Sequence, residues 1–485
     1  MRGSDSIFLG KADGPVELPL RYANRHGLIA GATGTGKTVT LQVLAEGFSK
    51  AGTPVFLADV KGDLSGLCAP AEPSPRLAER ANAVGLPALE AQAFPCVFWD
   101  VFGEQGHPVR VTVSEIGPLL LARLFALNDA QEGVLHAAFA LADDQGMLLL
   151  DLKDLRAILG FVADNAKTLA KTYGHIATAS VGAVQRRLLM IEREGGDLFM
   201  GEPSLDIQDL LRRDRDGAGY IHILAADKLI NRPRLYAMFL FWLLSELFEE
   251  LPEIGDVDQP KLVLFFDEAH LLFDDTPQAL LDKVEQAVRL IRSKGVGVFF
   301  ITQNPTDLPD RILGQLGNRV QHALRAFTER DQKAVRAAAQ TFRANPALDT
   351  ARAITELGTG EALVSTLEAE GTPTIVQRTL IRPPLSRIGP ASPSARSQAI
   401  ADSPFAGRYD KAVDRHSAYE QLTARAQAAA RSAERADTAN RRLSRPRQTT
   451  LEAVANSTLR SVGAQLGREI VRGVLGSLFK GRSSR

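Results

Sequence analysis

The chain predicts an α/β fold: a mainly parallel sheet with helices on both faces, an all-helical insertion, and a helical, basic C-terminal tail. Three observations carry this. Short apolar runs alternate with helix-length segments over residues 27–113 and again over 213–381, the rhythm of βαβ units. Between them, residues 114–212 repeat apolar positions at helical spacing and hold almost no strand-like run. Beyond Arg382-Pro383-Pro384, large apolar residues thin out and Ala, Arg, Pro and Ser take over.

A short N-terminal segment, residues 1–26, comes first. Leu28-Ile29-Ala30 reads as a buried strand, and Lys37 to Lys50 has helical periodicity. Pro54 to Asp59 is a second strand, ending in the polar turn Lys61-Gly62-Asp63. Cys96 to Val101 and Val109 to Val113 are expected as further strands. The insertion divides into helices near 115–127, 129–145, 151–163 and 179–194. The sheet resumes at Tyr220 to Leu224, followed by a helix over about 231–250 and strands at Lys261–Phe266, Val296–Thr302 and Val320–Leu324. Glu361–Thr366 and Thr374–Thr379 read as a closing antiparallel pair. Residues 382–407 have the composition of a linker, and 408–485 form the tail. Its 409–443 stretch is helical and Ala/Arg-rich. In 451–479, Val454, Leu459, Val462, Leu466, Ile470, Val474 and Phe479 share one face, interleaved with Gly463, Gly467, Gly473 and Gly476. That pattern suggests a helix that docks on a partner subunit.

Composition bounds the function. The 485 residues suffice for two or three domains, and 45% hydrophobic content allows a large core. Cys68 and Cys96 are the only cysteines, too few for a disulfide framework and consistent with a reducing cytoplasm. No apolar stretch reaches the ~18 residues of a membrane helix, and the Phe239–Phe248 run is too short. The first residues carry no signal-peptide pattern, so a cytoplasmic location is expected. The formal net charge of zero hides an asymmetry. Residues 378–485 hold 20 Lys and Arg against 8 Asp and Glu, and the preceding residues hold 37 against 49. The tail either neutralises the acidic body or touches nucleic acid. Histidines 107, 136, 175, 222, 270 and 416 show no metal-ligand spacing, and no nucleophile-elbow pattern is present. Asp143-Asp144 and Asp274-Asp275 read as helix-end or loop charges.

Three motifs carry chemistry. Gly31-Ala32-Thr33-Gly34-Thr35-Gly36-Lys37-Thr38 matches G-x-x-x-x-G-K-[ST] between a strand and a helix. Its glycines let backbone N–H groups turn inward on phosphates, and the helix N-terminus, from Lys37, Thr38 and Val39, adds its dipole. Lys37 would place a charge at the β/γ-phosphates of ATP, and the Thr38 hydroxyl would ligate Mg²⁺. Leu262-Val263-Leu264-Phe265-Phe266-Asp267-Glu268 is a buried strand ending in two acids. Asp267 would hold Mg²⁺, and Glu268 would orient and deprotonate the attacking water. Val298 to Gln303 is a strand ending in a polar group, and Gln303 is the candidate γ-phosphate sensor. A transition-state cation supplied by a neighbour is also expected. Arg289, Arg292, Arg319 and Arg325 lie in the right region, and Arg292, in the turn before a strand, is the candidate.

The order GATGTGKT, ADVKGD, LFFDEAH, RSKGVGVFFITQNP and GNRVQHALRA resembles the HerA/FtsK superfamily of ring-forming, DNA-pumping ATPases. More narrowly, the chain is similar to a bacterial family of HerA-like, helicase-like ATPases, with VGAVQRRLLMIEREGGDLFMGEP (181–203) carrying the likeness into the insertion. The resemblance implies a RecA-like P-loop NTPase core and a hexameric ring. It implies Lys37 and Thr38 for nucleotide and metal, Asp267 and Glu268 for metal and base, Gln303 as sensor, and Arg292 acting in trans. It also implies DNA as a partner, through the ring pore and the basic tail. HerA itself carries an N-terminal β-barrel, for which about 26 residues are too few, so ring assembly is expected to use other surfaces. Two other functions stay open: a protein-remodelling or secretion-type ATPase, and a non-hydrolysing nucleotide-gated scaffold, against which Lys37 and Glu268 both argue.

Overall fold

The computed structural model describes residues 5–255, 257–273 and 278–443. The apolar stretch 451–479 and Asp274-Asp275 lie outside them. Ser6–Lys11 (β1) and Pro15–Pro19 (β2) form a hairpin. Gly27–Ala30 (β3) runs through the phosphate loop into Lys37–Lys50 (α1). Val55–Asp59 (β4), Pro75–Ala83 (α2), Cys96–Asp100 (β5) and His107–Pro108 (β6) follow. The helical stretch comprises Val113–Leu124 (α3), Asp129–Asp144 (α4), Leu152–Asp164 (α5), Ala166–Tyr173 (α6), Thr178–Arg193 (α7) and Gly196–Phe199 (α8). Then come Ile221–Ala225 (β7), Pro233–Glu250 (α9), Leu262–Phe266 (β8), Gln278–Ile291 (α10) and Val296–Thr302 (β9). Asp310–Leu313 (α11), Asn318–Gln321 (β10), Glu329–Gln340 (α12), Thr350–Glu356 (α13), Glu361–Ser365 (β11) and Gln377–Ile381 (β12) complete the sheet region. Pro393–Ala401 (α14) and Ala418–Leu443 (α15) end the described chain.

All strands join one sheet, in the order β2-β1-β12-β11-β10-β3-β9-β8-β4-β7-β5-β6. From β10 to β6 every pairing is parallel, and β11, β12, β1 and β2 add on antiparallel. Every residue of β3, β4, β5, β8 and β9 is buried. Strands covered on both faces need continuous apolar runs rather than alternation, which explains Leu-Val-Leu-Phe-Phe in β8. On one face α1 inserts Phe48 against the rings of Phe265 and Phe299, at 6.2 and 6.1 Å. The other face packs α9 and the insertion helices around Phe56, Trp242 and Phe239. A smaller cluster sets α12 and α13 against Leu363 and Val376.

Local caps divide the insertion. Thr112, Asn128 and Asp151 each close a capping box, satisfying helix N–H groups that would otherwise lack acceptors. The Thr112 box corrects one expectation. Val109–Val113 is not a strand, because Thr112 starts α3, and Val111 makes only an isolated bridge to Met200. The first 26 residues are more than a lead-in, since their hairpin extends the sheet beyond β12.

Residues 382–407 have the composition of a linker but lie against the sheet domain. Contacts divide the chain into units Met1–Leu422 and Thr423–Arg485. Within the first, Glu46 on α1 is fully buried and gathers this segment. Its Oε2 accepts from Arg382 at 3.1 Å, and its Oε1 accepts from the Leu385 and Ser386 N–H groups at 2.8 Å. Further on, Phe405 and Tyr409 bury their rings on Trp99 at 5.5 and 5.3 Å. Of the second unit, Ala424 to Ala436 are helical with exposed side chains. No helix among the described residues is long and apolar enough to cross a membrane.

Removing one partner of a buried pair strands the other charge, at a cost of about 3–5 kcal/mol. Glu46→Ala should therefore lower stability to chemical denaturation by that order. Glu46→Leu combined with Arg382→Met should cost clearly less. Equal losses in the two chains would show that the ion pair does not hold the segment.

Candidate functional site

Parallel register brings four strand ends to one edge. Ala30 pairs with Thr302, Phe266 lies beside Phe300, and Ala58 lies beside Phe266. The residues that follow are Gly31, Gln303 and Asp267, with Asp59 closing β4. In sheets of this kind, ligands bind beyond the C-terminal strand ends.

The loop after β3 needs its glycines. Gly31, Gly34 and Gly36 have φ of 153°, 78° and 117°, and a Cβ on Gly31 would lie 2.5 Å from Cβ of His322. The loop rests on β10, where the Ala32 N–H donates to the Ala323 carbonyl at 2.8 Å. His322 braces it from below, with its Nε2 2.8 Å from Thr40 Oγ1 and its Nδ1 2.9 Å from the Glu361 carbonyl. Burial pulls the His322 pKa down to about 4, so the ring stays neutral and can accept the Thr40 hydroxyl proton. Gly360 N–H donates to the Thr35 carbonyl at 2.9 Å, and Arg80 clamps the Thr359 and Gly360 carbonyls at 3.1 Å. Lys37 Nζ donates to the Gly31 and Ala32 carbonyls at 2.6 and 3.2 Å.

The acid edge faces this loop. Asp267 accepts the Glu268 N–H at 2.9 Å. Glu268 has left-handed backbone angles, φ 48° and ψ 48°, a strained conformation for a residue with a Cβ and one that clusters at functional sites. Its carboxylate is held from two sides. Lys61 Nζ lies 2.8 Å from Oε1, and Gln303 Nε2 donates to Oε2 at 3.3 Å. His270 Nδ1 stands 3.6 Å from Oε2. Asp59 accepts the Gly62 and Leu64 N–H groups and so fixes the turn that carries Lys61.

The electrostatics separate the two acids. Burial, and then the Glu268 charge, push the Asp267 pKa up to about 6. Burial and Asp63 push Asp59 to about 7. Burial acts to raise Glu268 too, but the Lys61 hydrogen bond and charge outweigh it and leave this carboxyl below its usual range. Glu268 is thus the more acidic of the adjacent pair. Burial lowers the Lys37 ammonium, with Glu268 pulling it back.

These residues fit a nucleoside triphosphate with Mg²⁺. The glycine cradle and Lys37 suit phosphate oxygens. The acid edge has carboxylates that repel one another and a buried Asp63 Oδ1 with no hydrogen-bond partner, an environment that a divalent cation relieves. Thr38, in the first turn of α1, and Asp267 offer the hard oxygen donors that Mg²⁺ prefers, with phosphate and water supplying the rest.

The structure therefore brings the loop from Gly31 to Thr38, Asp267, Glu268 and Gln303 together at one edge. Thr33 and Gly34 are exposed at the loop tip, and Val39 packs toward the core. Arg292 is not among them. It precedes β9 whereas Gln303 follows it, and the seven-residue strand that separates them spans roughly 23 Å at about 3.3 Å per residue. Arg289 and Arg325 are exposed, and Arg319 sits at the same far edge as Arg292. In the sequence Lys61 lies in a polar turn and in ADVKGD, with no role evident. Its pairing with Glu268 joins segments far apart in the chain, so only the sheet order reveals it. Asp59, in ADVKGD, and His322, in GNRVQHALRA, likewise had no role assigned, and Arg80 lies in no motif.

A mainly parallel sheet with a phosphate loop after one strand and an acid pair two strands away defines a RecA-like P-loop NTPase. The family model described as "Helicase HerA-like C-terminal" matches residues 5–485. The chain belongs to this HerA-like family. No curated protein matches it. Among solved structures, the plasmid coupling protein TrwB, in complex with a non-hydrolysable ATP analogue, is similar at a TM-score of 0.50 and 16% identity, covering 80% of this chain and 91% of that one. VirB4 of Thermoanaerobacter pseudethanolicus is similar at a TM-score of 0.49 and 16% identity, over 81% of this chain and 98% of that one.

The Asp267 shift has a signed consequence. A carboxyl raised in the folded state costs stability where it is ionised, above about pH 6, and the cost fades toward its unfolded value near pH 4. Without nucleotide, Asp267→Asn should be more stable than the parent at pH 8, by up to about 3 kcal/mol. That advantage should shrink as pH falls from about 6 to 4. A constant difference across this window would rule out the assigned burial cost.

Proposed function

We propose that the chain is an ATP-hydrolysing ring motor that translocates or remodels DNA. The observation that carries hydrolysis is the Glu268 carboxylate, ionised and aimed by Lys61 and Gln303 at the edge shared with the phosphate loop. Lys37 would leave its loop carbonyls for the β/γ-phosphates, trading two neutral acceptors for charged ones. Glu268 would orient the attacking water and take its proton. Thr38 and Asp267 would hold Mg²⁺, which supplies charge neutralisation at the β- and γ-phosphate oxygens. Gln303 touches Glu268 from the strand between β3 and β8, so it is placed to report the γ-phosphate to the base.

Membership of a helicase-like family supports a nucleic-acid substrate, and the ATP analogue bound to TrwB supports the choice of nucleotide. Arg292 is too far from its own phosphate loop to act there, which supports an assembly in which it serves a second copy. A hexameric ring in the cytoplasm is the form the family resemblance suggests.

One observation favours a protein substrate instead. Residues 1–377 hold 37 basic against 49 acidic side chains, so the sheet domain as a whole repels a polyanion, and DNA affinity would depend on the basic C-terminal residues. Turnover measured with and without duplex DNA over a salt series decides between them. The DNA reading expects stimulated turnover and affinity falling steeply with salt. Unchanged turnover and no salt-sensitive binding would leave the protein-remodelling reading.

Lys61 supplies a second test. Replacing it with Met removes the cation that holds Glu268 down. The acidic limb of the pH–rate profile for ATP turnover should move to higher pH, while nucleotide affinity changes little. An unmoved limb would show that Lys61 does not set the state of the base.

A further inference from the structure

Three arginines stand at the edge of the sheet opposite the phosphate loop. β10, β3 and β9 are adjacent and parallel. Arg319 is the second residue of β10, Arg25 lies just before β3, and Arg292 lies just before β9. Topology alone therefore gathers three guanidinium-bearing residues at three neighbouring strand entries. All three line one open cavity of about 320 Å³, together with Thr341, Ser365 and three glycines, and no Asp or Glu is among its lining residues.

Arg319 and Arg25 are held by neighbouring groups. Arg319 Nε donates to the Leu316 carbonyl at 3.1 Å and Nη2 to the Leu313 carbonyl at 3.0 Å, which fixes the guanidinium plane. Its Nη1 is buried and has no hydrogen-bond partner. Buried donors without acceptors are uncommon because each loses its water without compensation. Arg25 lies over the Tyr22 ring at 5.2 Å and against Gly371, where a Cβ would come within 1.7 Å of its Nη1. Gly371 has a φ of 75°, a backbone conformation that favours glycine. Several fixed guanidinium groups, hydroxyls and glycine backbone without a carboxylate make an oxyanion site, since the guanidinium fork matches phosphate oxygens.

We propose that this cavity binds a phosphate group, with Arg319 and Arg25 as its main ligands and Arg292 at its wall. The phosphate comes either from a nucleotide held by a neighbouring copy or from a nucleic-acid backbone. The site stands whether or not the phosphate loop hydrolyses ATP.

The test uses the full chain carrying Lys37→Ala, which disables the loop as a competing site, titrated calorimetrically with inorganic pyrophosphate. One site per chain should remain. Adding Arg319→Met should weaken it about 10- to 100-fold, the loss expected for a charge-assisted hydrogen bond. Arg25→Met should act in the same direction, and covers the case in which the Arg319 variant fails to fold. No pyrophosphate binding to the Lys37→Ala chain, or equal binding in the arginine variants, overturns the proposal. Two further arms identify the source. If it is a neighbour's nucleotide, mixing Arg319→Met chains with Glu268→Gln chains restores turnover that neither shows alone. If it is nucleic acid, the log–log salt slope of duplex binding falls by about one per arginine removed. The Arg319→Met chain with Lys37 intact should still bind ATP at its phosphate loop, which separates failure of this site from failure of the loop.

Discussion

The parallel register of β3, β9, β8 and β4 is the constraint on which the rest depends. It makes four strand ends leave the sheet on one side, so a lysine, two acids and an amide far apart in the chain become neighbours. Full burial on both faces fixes that register. A slip of one residue would move Phe265 or Phe299 off the α1 face and strand their packing on Phe48. Stability and site geometry therefore share a cause: the same Phe-rich strands that build the core set where Asp267 and Gln303 emerge.

At that edge the balance of charge decides what each group can do. Asp267 is held above the usual carboxyl range by burial and the Glu268 charge, and Asp59 by burial and the Asp63 charge, whereas Lys61 holds Glu268 below it. Two adjacent carboxyls in different environments can take different roles, one toward a cation and one toward water. At the opposite edge, Arg25, Arg292 and Arg319 line one cavity whose lining residues include no Asp or Glu.

Much of this was legible in the sequence where the signal is local. The glycine-lysine loop, the apolar strand ending in Asp267-Glu268 and the strand ending before Gln303 each declare themselves within ten residues. The insertion was legible because apolar residues recur there at helical spacing. What was hidden depends on distant pairing. Lys61 meets Glu268 only because β4 lies beside β8. Ser6–Lys11 becomes a strand because it pairs with both β2 and β12. Residues 382–407 look like a linker because Pro, Ser and Ala carry no burial signal, yet their backbone N–H groups find the carboxylate of Glu46 inside the domain. Val109–Val113 misled for the reverse reason: a β-branched run is overruled by a capping threonine. The helical dock expected at 451–479 lies beyond the described residues.

We propose Glu268 as the base of an ATP-hydrolysing site whose binding half is the phosphate loop. The direct measurement compares Glu268→Gln with the parent chain in Mg²⁺, following both the affinity for ATP and the conversion of bound ATP to ADP and phosphate in a single turnover. The account predicts ATP bound about as tightly as by the parent but left uncleaved. Cleavage at the parent rate by the Gln chain would contradict it.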